Sequence, residues 1–255
     1  VLTPSDDTWY HLALVFDNTS AVFSTYLDGV QMASNTATND PIVPSIDLLI
    51  GNNIENGNHF FQGYIDDISL WSVALSQENI QSYLSSELNG NETGLVGYWN
   101  FNEGTGTTLT DQTSNDNDGT ISGASWTGDG APVTAATTPT NTYSLSFDGD
   151  NDYIDVDYST GQIGSEISIL SWVDIHDGGD SHIIFNGCCG TDATWYWGLM
   201  LREFNSGDGI QPTVYLQTDQ SNVGAGHYPA SGVGAIEPNS GWHHVAMTYS
   251  NNTLN

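Results

Sequence analysis

Short segments in which apolar and polar residues alternate occur along the whole chain. A period of two is typical of β-strands with one buried face. Clusters of Gly, Asn, Asp, Ser and Thr separate these segments, and Asp28-Gly29 is a hairpin signal. The segments are 9–17, 23–33, 46–52, 64–71, 95–101, 143–149, 167–175, 195–204 and 213–218. The pattern predicts many short strands joined by tight turns.

Only one segment has the periodicity of a helix. Ser76 is a suitable N-cap for SQENIQSYLSS, in which Ile80, Tyr83 and Leu84 share one face that can dock on a sheet. Helices do not alternate with strands elsewhere, which excludes a parallel α/β architecture. The sequence therefore predicts an all-β fold, an antiparallel β-sandwich or jelly roll with one short helix.

A strand phrase near the start of the chain recurs at its end. The segment WYHLALVFDNTS begins at Trp9, and WHHVAMTYSNNT begins at Trp242, an offset of 233 residues. This alignment also places His244 on His11 and Ala246 on Ala13. Between the two copies, residues 133–141 (VTAATTPTN) contain no aromatic residue and have the composition of an extended linker. We expect a boundary there.

The motifs on the two sides of this boundary resemble the two halves of one domain. YSLSFDGDNDYIDV, ISILSWV and SGWHHVAMTYSNNT resemble the first half of a LamG-like domain of the concanavalin A-like lectin/glucanase superfamily, as in bacterial-type extracellular proteins. WYHLALVFD, YLDGV, LLIGNN and FQGYIDDISLW, followed by GLVGYWNFNEGTGTTL, resemble the second half. The resemblance implies that residues 1–132 are the C-terminal part of one domain, 133–142 a linker and 143–255 the N-terminal part of the next.

The inverted order of the halves has three explanations. The chain is a segment of a tandem array, a natural circular permutation, or a subunit whose halves are completed by neighbouring copies. A permutation needs each strand once, and the doubled strand disfavours it. An array or a head-to-tail filament accounts for the doubling, and both make copies of the same chain its partners.

The charge balance limits the classes of molecule that can be further partners. The chain has 31 acidic residues, no lysine and a single arginine, Arg202, for a formal net charge of −30. Nothing is available to neutralise phosphates, so nucleic acid is excluded as a partner, and no apolar run is long enough for membrane insertion. These features favour an extracellular or cell-surface protein stabilised by cations such as Ca²⁺.

An acidic turn is the strongest candidate for a metal site. Asp148, Asp150 and Asp152 have the spacing of the start of an EF-hand, but Tyr153 and Ser159 occupy the positions of its Gly and Glu. The family resemblance implies a structural Ca²⁺ held by Asp150, Asn151 and Asp152 together with Asp66 and Asp67. The alternative is a solvated, Asp-rich turn. A second cluster over 111–118 is a weaker candidate, because turns select such residues for backbone reasons.

The two cysteines, Cys188 and Cys189, are adjacent. A vicinal disulfide would strain the turn, and Gly187 and Gly190 could relieve that strain. Two free thiols, or bonds to another subunit, are the alternatives.

Catalysis is not expected. The superfamily's glycosidase motif E-x-D-x-x-E is absent, and Asp66 and Asp67 are neighbours that a strand directs to opposite faces. Trp195, Tyr196 and Trp197 could contact a glycan if their rings were exposed, although the tryptophan face more simply belongs to the core. We therefore expect a structural or adhesive repeat segment, with a calcium-dependent carbohydrate-binding module as the alternative.

Overall fold

The computed structural model describes most of the chain. The described residues are 11–20, 22–36, 48–52, 60–84, 87–131, 142–156, 166–176, 181–188, 194–202, 211–216, 226–229 and 242–244.

Seventeen strands and one helix form within these residues. The helix is α1 (Gln77–Tyr83). The strands are β1 (His11–Asp17), β2 (Val22–Leu27), β3 (Val30–Thr36), β4 (Leu48–Ile50), β5 (Gln62–Trp71), β6 (Leu95–Trp99), β7 (Thr108–Leu109), β8 (Gly119–Ser122), β9 (Ser125–Thr127), β10 (Ser144–Asp148), β11 (Tyr153–Val156), β12 (Ile167–Ile175), β13 (Ser181–Cys188), β14 (Thr194–Arg202), β15 (Gln211–Leu216), β16 (Gly226–Pro229) and β17 (Trp242–His244).

The strands form two antiparallel sheets. Sheet A has the order β3-β2-β1-β12-β5-β10-β9, with β6 also paired to β5 and β17 also paired to β12. Sheet B has the order β16-β15-β14-β13-β4-β11-β8-β7. One apolar core takes large side chains from both sheets, including Leu14 and Phe16 of sheet A and Ile50 and Ile154 of sheet B. The predicted all-β sandwich is confirmed.

Strands from before and after the 133–141 segment alternate in both sheets. In sheet A, β12 lies between β1 and β5, and in sheet B, β4 lies between β13 and β11. The two half-domains predicted from the sequence therefore close one sandwich within this chain. Their assignment to successive domains of a longer protein stays a prediction.

Strand β12 is buried along its whole length because both of its faces are covered. Ile167, Ile169 and Val173 belong to the core between the sheets. On the other face, the Ser168 hydroxyl donates to the Val73 carbonyl oxygen at 2.7 Å and accepts from the Leu75 N–H at 3.2 Å. Ser168 thus makes a polar contact with the segment that leads into α1.

Helix α1 covers the outer face of sheet A as the sequence predicts. The Ser76 hydroxyl accepts from the Asn79 N–H at 3.2 Å, which satisfies one of the free donors of the first turn. Ile80 is fully buried, and Tyr83 stacks on Trp71 of β5 with ring centroids 5.0 Å apart.

Strand β5 contains an irregularity that sets the positions of its acidic residues. Its pairing with β12 shifts register between Leu170 and Ile175, and Asp67 has a φ of 47°. At Gly63, where φ is 144°, an added Cβ would lie 1.7 Å from the Asp174 carbonyl oxygen. Only glycine permits this approach of the two backbones.

Candidate functional site

Strand β12 is paired with both copies of the repeated strand phrase. Strand β1 is antiparallel to it, with His11 opposite Trp172, Ala13 opposite Leu170 and Phe16 opposite Ile167. Strand β17 also pairs with β12, with Trp242 opposite Asp174 and His244 opposite Trp172. We call residues 167–174 of β12, which these pairings cover, the β12 slot.

The two copies use one register. His11 and His244 occupy equivalent positions in the sequence alignment, and both are the Cα partners of Trp172. Both copies of the doubled strand therefore pair with β12, and the two pairings meet at Trp172.

A small cavity lies against the slot on the outer face of sheet A. Its volume is about 20 Å³. Since about 10 to 15 Å³ suffices for one water, it has room for one ion or one to two waters. Its walls are formed by His11, Asp67, Ser69, Tyr83, Glu87, Leu88, Tyr98, Leu170 and Trp172.

Carboxylates and aromatic rings meet in this cavity. The Tyr98 hydroxyl donates to Asp67 Oδ1 at 2.8 Å. Burial raises the pKa of the Asp67 carboxyl to about 7, the Glu87 charge adds to the rise, and the hydrogen bond from Tyr98 opposes it. Burial also raises the pKa of Tyr98, with the neighbouring Asp67 charge as a further cause. Near neutral pH, Asp67 is therefore divided between its charged and uncharged forms.

His11 of β1, the Cα partner of Trp172, lines one side of the cavity. Its ring meets Trp172 edge to face, with centroids 5.4 Å apart. Burial holds the pKa of His11 well below the usual range of histidine, so the ring is neutral at physiological pH. The neutral ring of His11 thus forms part of the cavity wall, with room for water beside it. It is far smaller than the several hundred Å³ typical of pockets that enclose an organic ligand.

The five residues predicted to bind calcium fall into two places. Leu145 pairs with Ile65 and Asp148 with Gln62, so the turn after Asp148 lies beyond the Gln62 end of β5. Asp66 is four residues from that end, or about 13 Å along the strand. The structure therefore does not bring Asp66 and Asp67 together with Asp150, Asn151 and Asp152.

The Asp66 carboxylate already serves the backbone. Its Oδ1 accepts from the Asp67 N–H at 2.8 Å, and its Oδ2 accepts from the Ala131 N–H at 2.7 Å. Among the residues that the structure describes, no group of three or more His, Cys, Asp or Glu side chains is placed to hold a metal ion. These residues do not fit a calcium site shared between the two segments.

The turn itself is held by its own side chains. Asp152 Oδ2 accepts from the Asp148 N–H, and Asp148 Oδ1 accepts from the Asp150 N–H, each at 2.8 Å. Asn151 has a left-handed φ of 63°. Burial raises the pKa of Asp152, and the Asp148 and Asp150 charges add to that rise despite the backbone hydrogen bond. Calcium at this turn alone stays a prediction.

The second acidic cluster is structural. Asp111 Oδ1 accepts from the N–H groups of Tyr98 and Thr113, and Oδ2 accepts from the N–H of Asn117. The Asn117 carbonyl oxygen accepts in turn from the Trp99 indole N–H at 2.9 Å. The cluster therefore ties the 111–118 turn to β6.

Several predicted site residues cannot be placed. Cys189 and the side chain of Cys188 lie outside the described parts of the structure, as do the side chains of Trp195, Tyr196 and Trp197. The disulfide and glycan-contact assignments stay predictions. No helix within the described ranges is long and apolar enough to cross a membrane.

Sequence reasoning missed the residues that surround the slot. Trp172 and Tyr98 lie in two of the quoted strand motifs and Glu87 lies in none, and no motif indicates that these three residues meet. The repeated strand phrase was the available signal. In a complete domain, two copies of one strand are expected to pair with the same neighbouring strand.

The comparisons with known proteins agree with this architecture. Residues 2–81 match the Laminin G 3 family, described as concanavalin A-like lectin/glucanases superfamily. No significant match to the chain was found among curated proteins or solved structures. The matched segment includes the N-terminal copy of the strand phrase, and its described strands contribute to both sheets. The match over residues 2–81 supports a LamG-like domain in this part of the chain.

Proposed function

We propose that this chain is a non-catalytic structural repeat of an extracellular protein, which associates with copies of itself by exchanging its two halves. One observation carries the proposal. Both sheets interleave strands from residues 11–131 with strands from residues 142–244, so each half completes the other.

Exchange would preserve the contacts of the closed chain. If the 11–131 half of one copy packed on the 142–244 half of another, β12 would still lie between a β1 and a β5. The segment 132–141 would then connect two sandwiches instead of closing one. Such a contact is heterologous, and it generates filaments when it does not close into a ring.

Opening one chain without a partner would be costly. The slot residues Ile167, Ile169 and Leu170 are at most 5% exposed, and Leu14 and Phe16 of β1 are at most 1% exposed. Separating the halves exposes this apolar surface, at about 25 cal/mol per Å². Each exposed half is therefore stabilised by packing on a complementary half, either that of its own chain or that of a neighbouring copy.

The extracellular part of the proposal is supported by the LamG-like match. A net charge of −30 keeps molecules apart unless a specific contact compensates. Pairing of strand edges between complementary halves is such a contact.

A disulfide across the β12 slot tests the exchange. Ala13 and Leu170 are Cα partners, and such partners lie within the range of disulfide geometry. In a Cys188→Ser/Cys189→Ser background, we expect Ala13→Cys/Leu170→Cys to give only monomers on a non-reducing denaturing gel when oxidised in dilute solution. After incubation at high concentration, oxidation is expected to give a ladder of covalent multimers.

The matched control places both cysteines in one half. Ala13 is also the Cα partner of Tyr26, so Ala13→Cys/Tyr26→Cys cannot link two copies by half exchange. Monomers alone from both pairs at every concentration would refute the exchange. Equal ladders from both pairs would show random oxidation and refute it as well.

The calcium prediction now concerns only the turn that contains Asp150, Asn151 and Asp152. If calcium binds there, EDTA lowers the melting temperature of the native chain and has little effect on an Asp150→Asn variant. An unchanged melting temperature of the native chain would remove calcium from the proposal.

A calcium-dependent carbohydrate-binding module remains the second candidate from the sequence. No described side-chain arrangement favours it, because the cavity beside the slot is too small for a sugar ring. Binding to a glycan array that is abolished by EDTA would support this alternative.

A further inference from the structure

The sequence contains three Asn-Gly dipeptides, at residues 56–57, 89–90 and 186–187. In such a dipeptide the glycine nitrogen can attack the side-chain carbonyl carbon of the asparagine, because glycine has no Cβ to obstruct the approach. The nitrogen loses its proton, the side-chain amide leaves as ammonia, and a succinimide ring forms. One water molecule then opens the ring to aspartate or isoaspartate. The first dipeptide lies outside the described residues, and the other two have opposite surroundings.

Asn89 and Gly90 lie in the irregular segment before β6. Asn89 is exposed, and Gly90 has a φ of 80°. Among the described residues, no hydrogen bond engages the Gly90 N–H, the group that must attack. Solvent therefore reaches the side-chain amide, and the attacking nitrogen is not tied into a sheet or a helix.

Asn186 is the opposite case within the same chain. It is fully buried in β13, with Leu48 of β4 and Trp197 of β14 as its Cα partners on the two sides. Ring closure needs a rotation of the backbone, and ring opening needs water. Both are prevented while β13 stays paired, so Asn186 can react only after the strand has opened.

A carboxylate holds Asn89 in its turn. Glu92 Oε1 accepts from the Asn89 backbone N–H at 2.6 Å and from the Asn89 side-chain Nδ2 at 3.2 Å. The Glu92 carbonyl oxygen accepts from the Leu95 N–H at 3.1 Å, where β6 begins. Loss of the amide would replace the Nδ2 donor by a second negative charge, which repels Glu92 next to the start of this strand.

Gly90 also packs closely on the 111–118 turn. An added Cβ at Gly90 would lie 2.1 Å from the Gln112 carbonyl oxygen. In isoaspartate the main chain runs through the former side chain and is one methylene longer. That extra length at residue 89 would displace Gly90 from its contact with Gln112.

We propose that Asn89 is a site of spontaneous deamidation in the folded chain, and that the product weakens the turn that leads into β6. Aspartate at this position loses the hydrogen bond to Glu92, and isoaspartate also loses the fit of Gly90 against Gln112. The reaction needs only water, so its extent records the age of the molecule. It holds or fails separately from the proposed self-association.

Peptide mapping by mass spectrometry tests the site. The native chain is incubated at pH 8 beside a sample that is kept unfolded in urea. We expect Asn89 to convert at rates of the same order in the two samples. Asn186 should convert in urea, and at least about 10³-fold more slowly in the native chain, as the unfolding equilibria of stable domains imply.

Two results would overturn the proposed site. One is an Asn89 that keeps its amide in the native chain while the same residue converts in urea. The other is conversion of Asn89 and Asn186 at equal rates in the native chain, which would assign the reaction to unfolding of the whole molecule.

Variants of the full chain test the effect on the turn. We expect Asn89→Asp to lower the melting temperature at pH 8 by a few degrees more than Asn91→Asp, which adds the same charge at a neighbouring exposed position. Asn89→Gln keeps an amide but needs a larger ring to react, so residue 89 is expected to stay uncharged during the incubation. Equal melting temperatures of the two aspartate variants would overturn the proposed weakening of the turn.

Discussion

Asp67 shows how a single residue couples the fold to pH. Its carboxyl lies at the irregularity of β5, accepts a hydrogen bond from Tyr98, and has a pKa raised mainly by burial. An ordinary aspartate has a pKa of about 3.9 in an unfolded chain. Between that value and about 7, the folded chain binds more protons at this residue than the unfolded chain. Its contribution to stability is therefore fully present below the lower value and is lost as the pH rises through the upper one.

An Asp67→Asn substitution is expected to remove this pH dependence. Asparagine keeps an oxygen that can accept from Tyr98 but does not ionise. The melting temperature should rise by several degrees at pH 8 and by less at pH 5. Thermal melts across this range, with the exposed Asp129→Asn as the control, check the prediction. A variant whose melting temperature falls more at pH 8 than at pH 5 would contradict it.

At the scale of elements, the sequence predicted best where one face of a segment is apolar. The predicted strand 167–175 coincides with β12, and Asp28-Gly29 forms the turn between β2 and β3 with both residues at positive φ. Strands β7, β8, β9 and β11 are two to four residues long and were missed. Two to four residues are too few to show an alternation of apolar and polar positions, so these strands are defined only by their pairing with longer strands.

Helix α1 depends on its cap because it is only seven residues long. Short helices are marginal without such contacts. We expect Ser76→Ala to lower the free energy of unfolding by about 1 kcal/mol, since the Asn79 N–H loses its acceptor. Chemical denaturation measures the change, with Gln77→Ala, an exposed position in the first turn, as the control. Equal effects of the two substitutions would show that the cap contributes nothing.

The cavity could not be predicted from sequence, unlike the strands. It brings His11 of β1, Asp67 of β5, Glu87 after α1 and Trp172 of β12 to one point. These residues are distant in the chain and meet only through the order of strands in sheet A. The acidic turn and Asp66 are a different case. The family resemblance assigned them to one calcium site, but the register of β5 and β10 keeps them apart.

At the scale of the whole molecule, the net charge is an unfavourable feature. A formal net charge of −30 on 255 residues repels itself more strongly in the compact state than in the unfolded one. Salt screens this repulsion, because the Debye length falls from about 30 Å at 0.01 M to about 3 Å at 1 M.

The melting temperature is therefore expected to rise when NaCl is raised from about 0.02 M to about 0.5 M at pH 7. Near pH 4, close to the sequence pI of about 4.1, the same addition should have a smaller effect because most of the net charge is gone. Thermal melts at both pH values provide the measurement. A melting temperature that falls with salt at pH 7 would show that specific ion pairs outweigh the net repulsion.

The pairing of β9 with β10 has a consequence for fragments of this protein. Thr127 and Ser144 are Cα partners across these strands, so the segment between them begins and ends at one place on sheet A. Its peptide bonds are not needed to bring the two strands together, because sheet pairing on both sides already does so. Residues 1–131 and 142–255, produced as separate polypeptides, would therefore carry complementary surfaces for reassembly into the same sandwich, which makes this chain a natural starting point for a split protein.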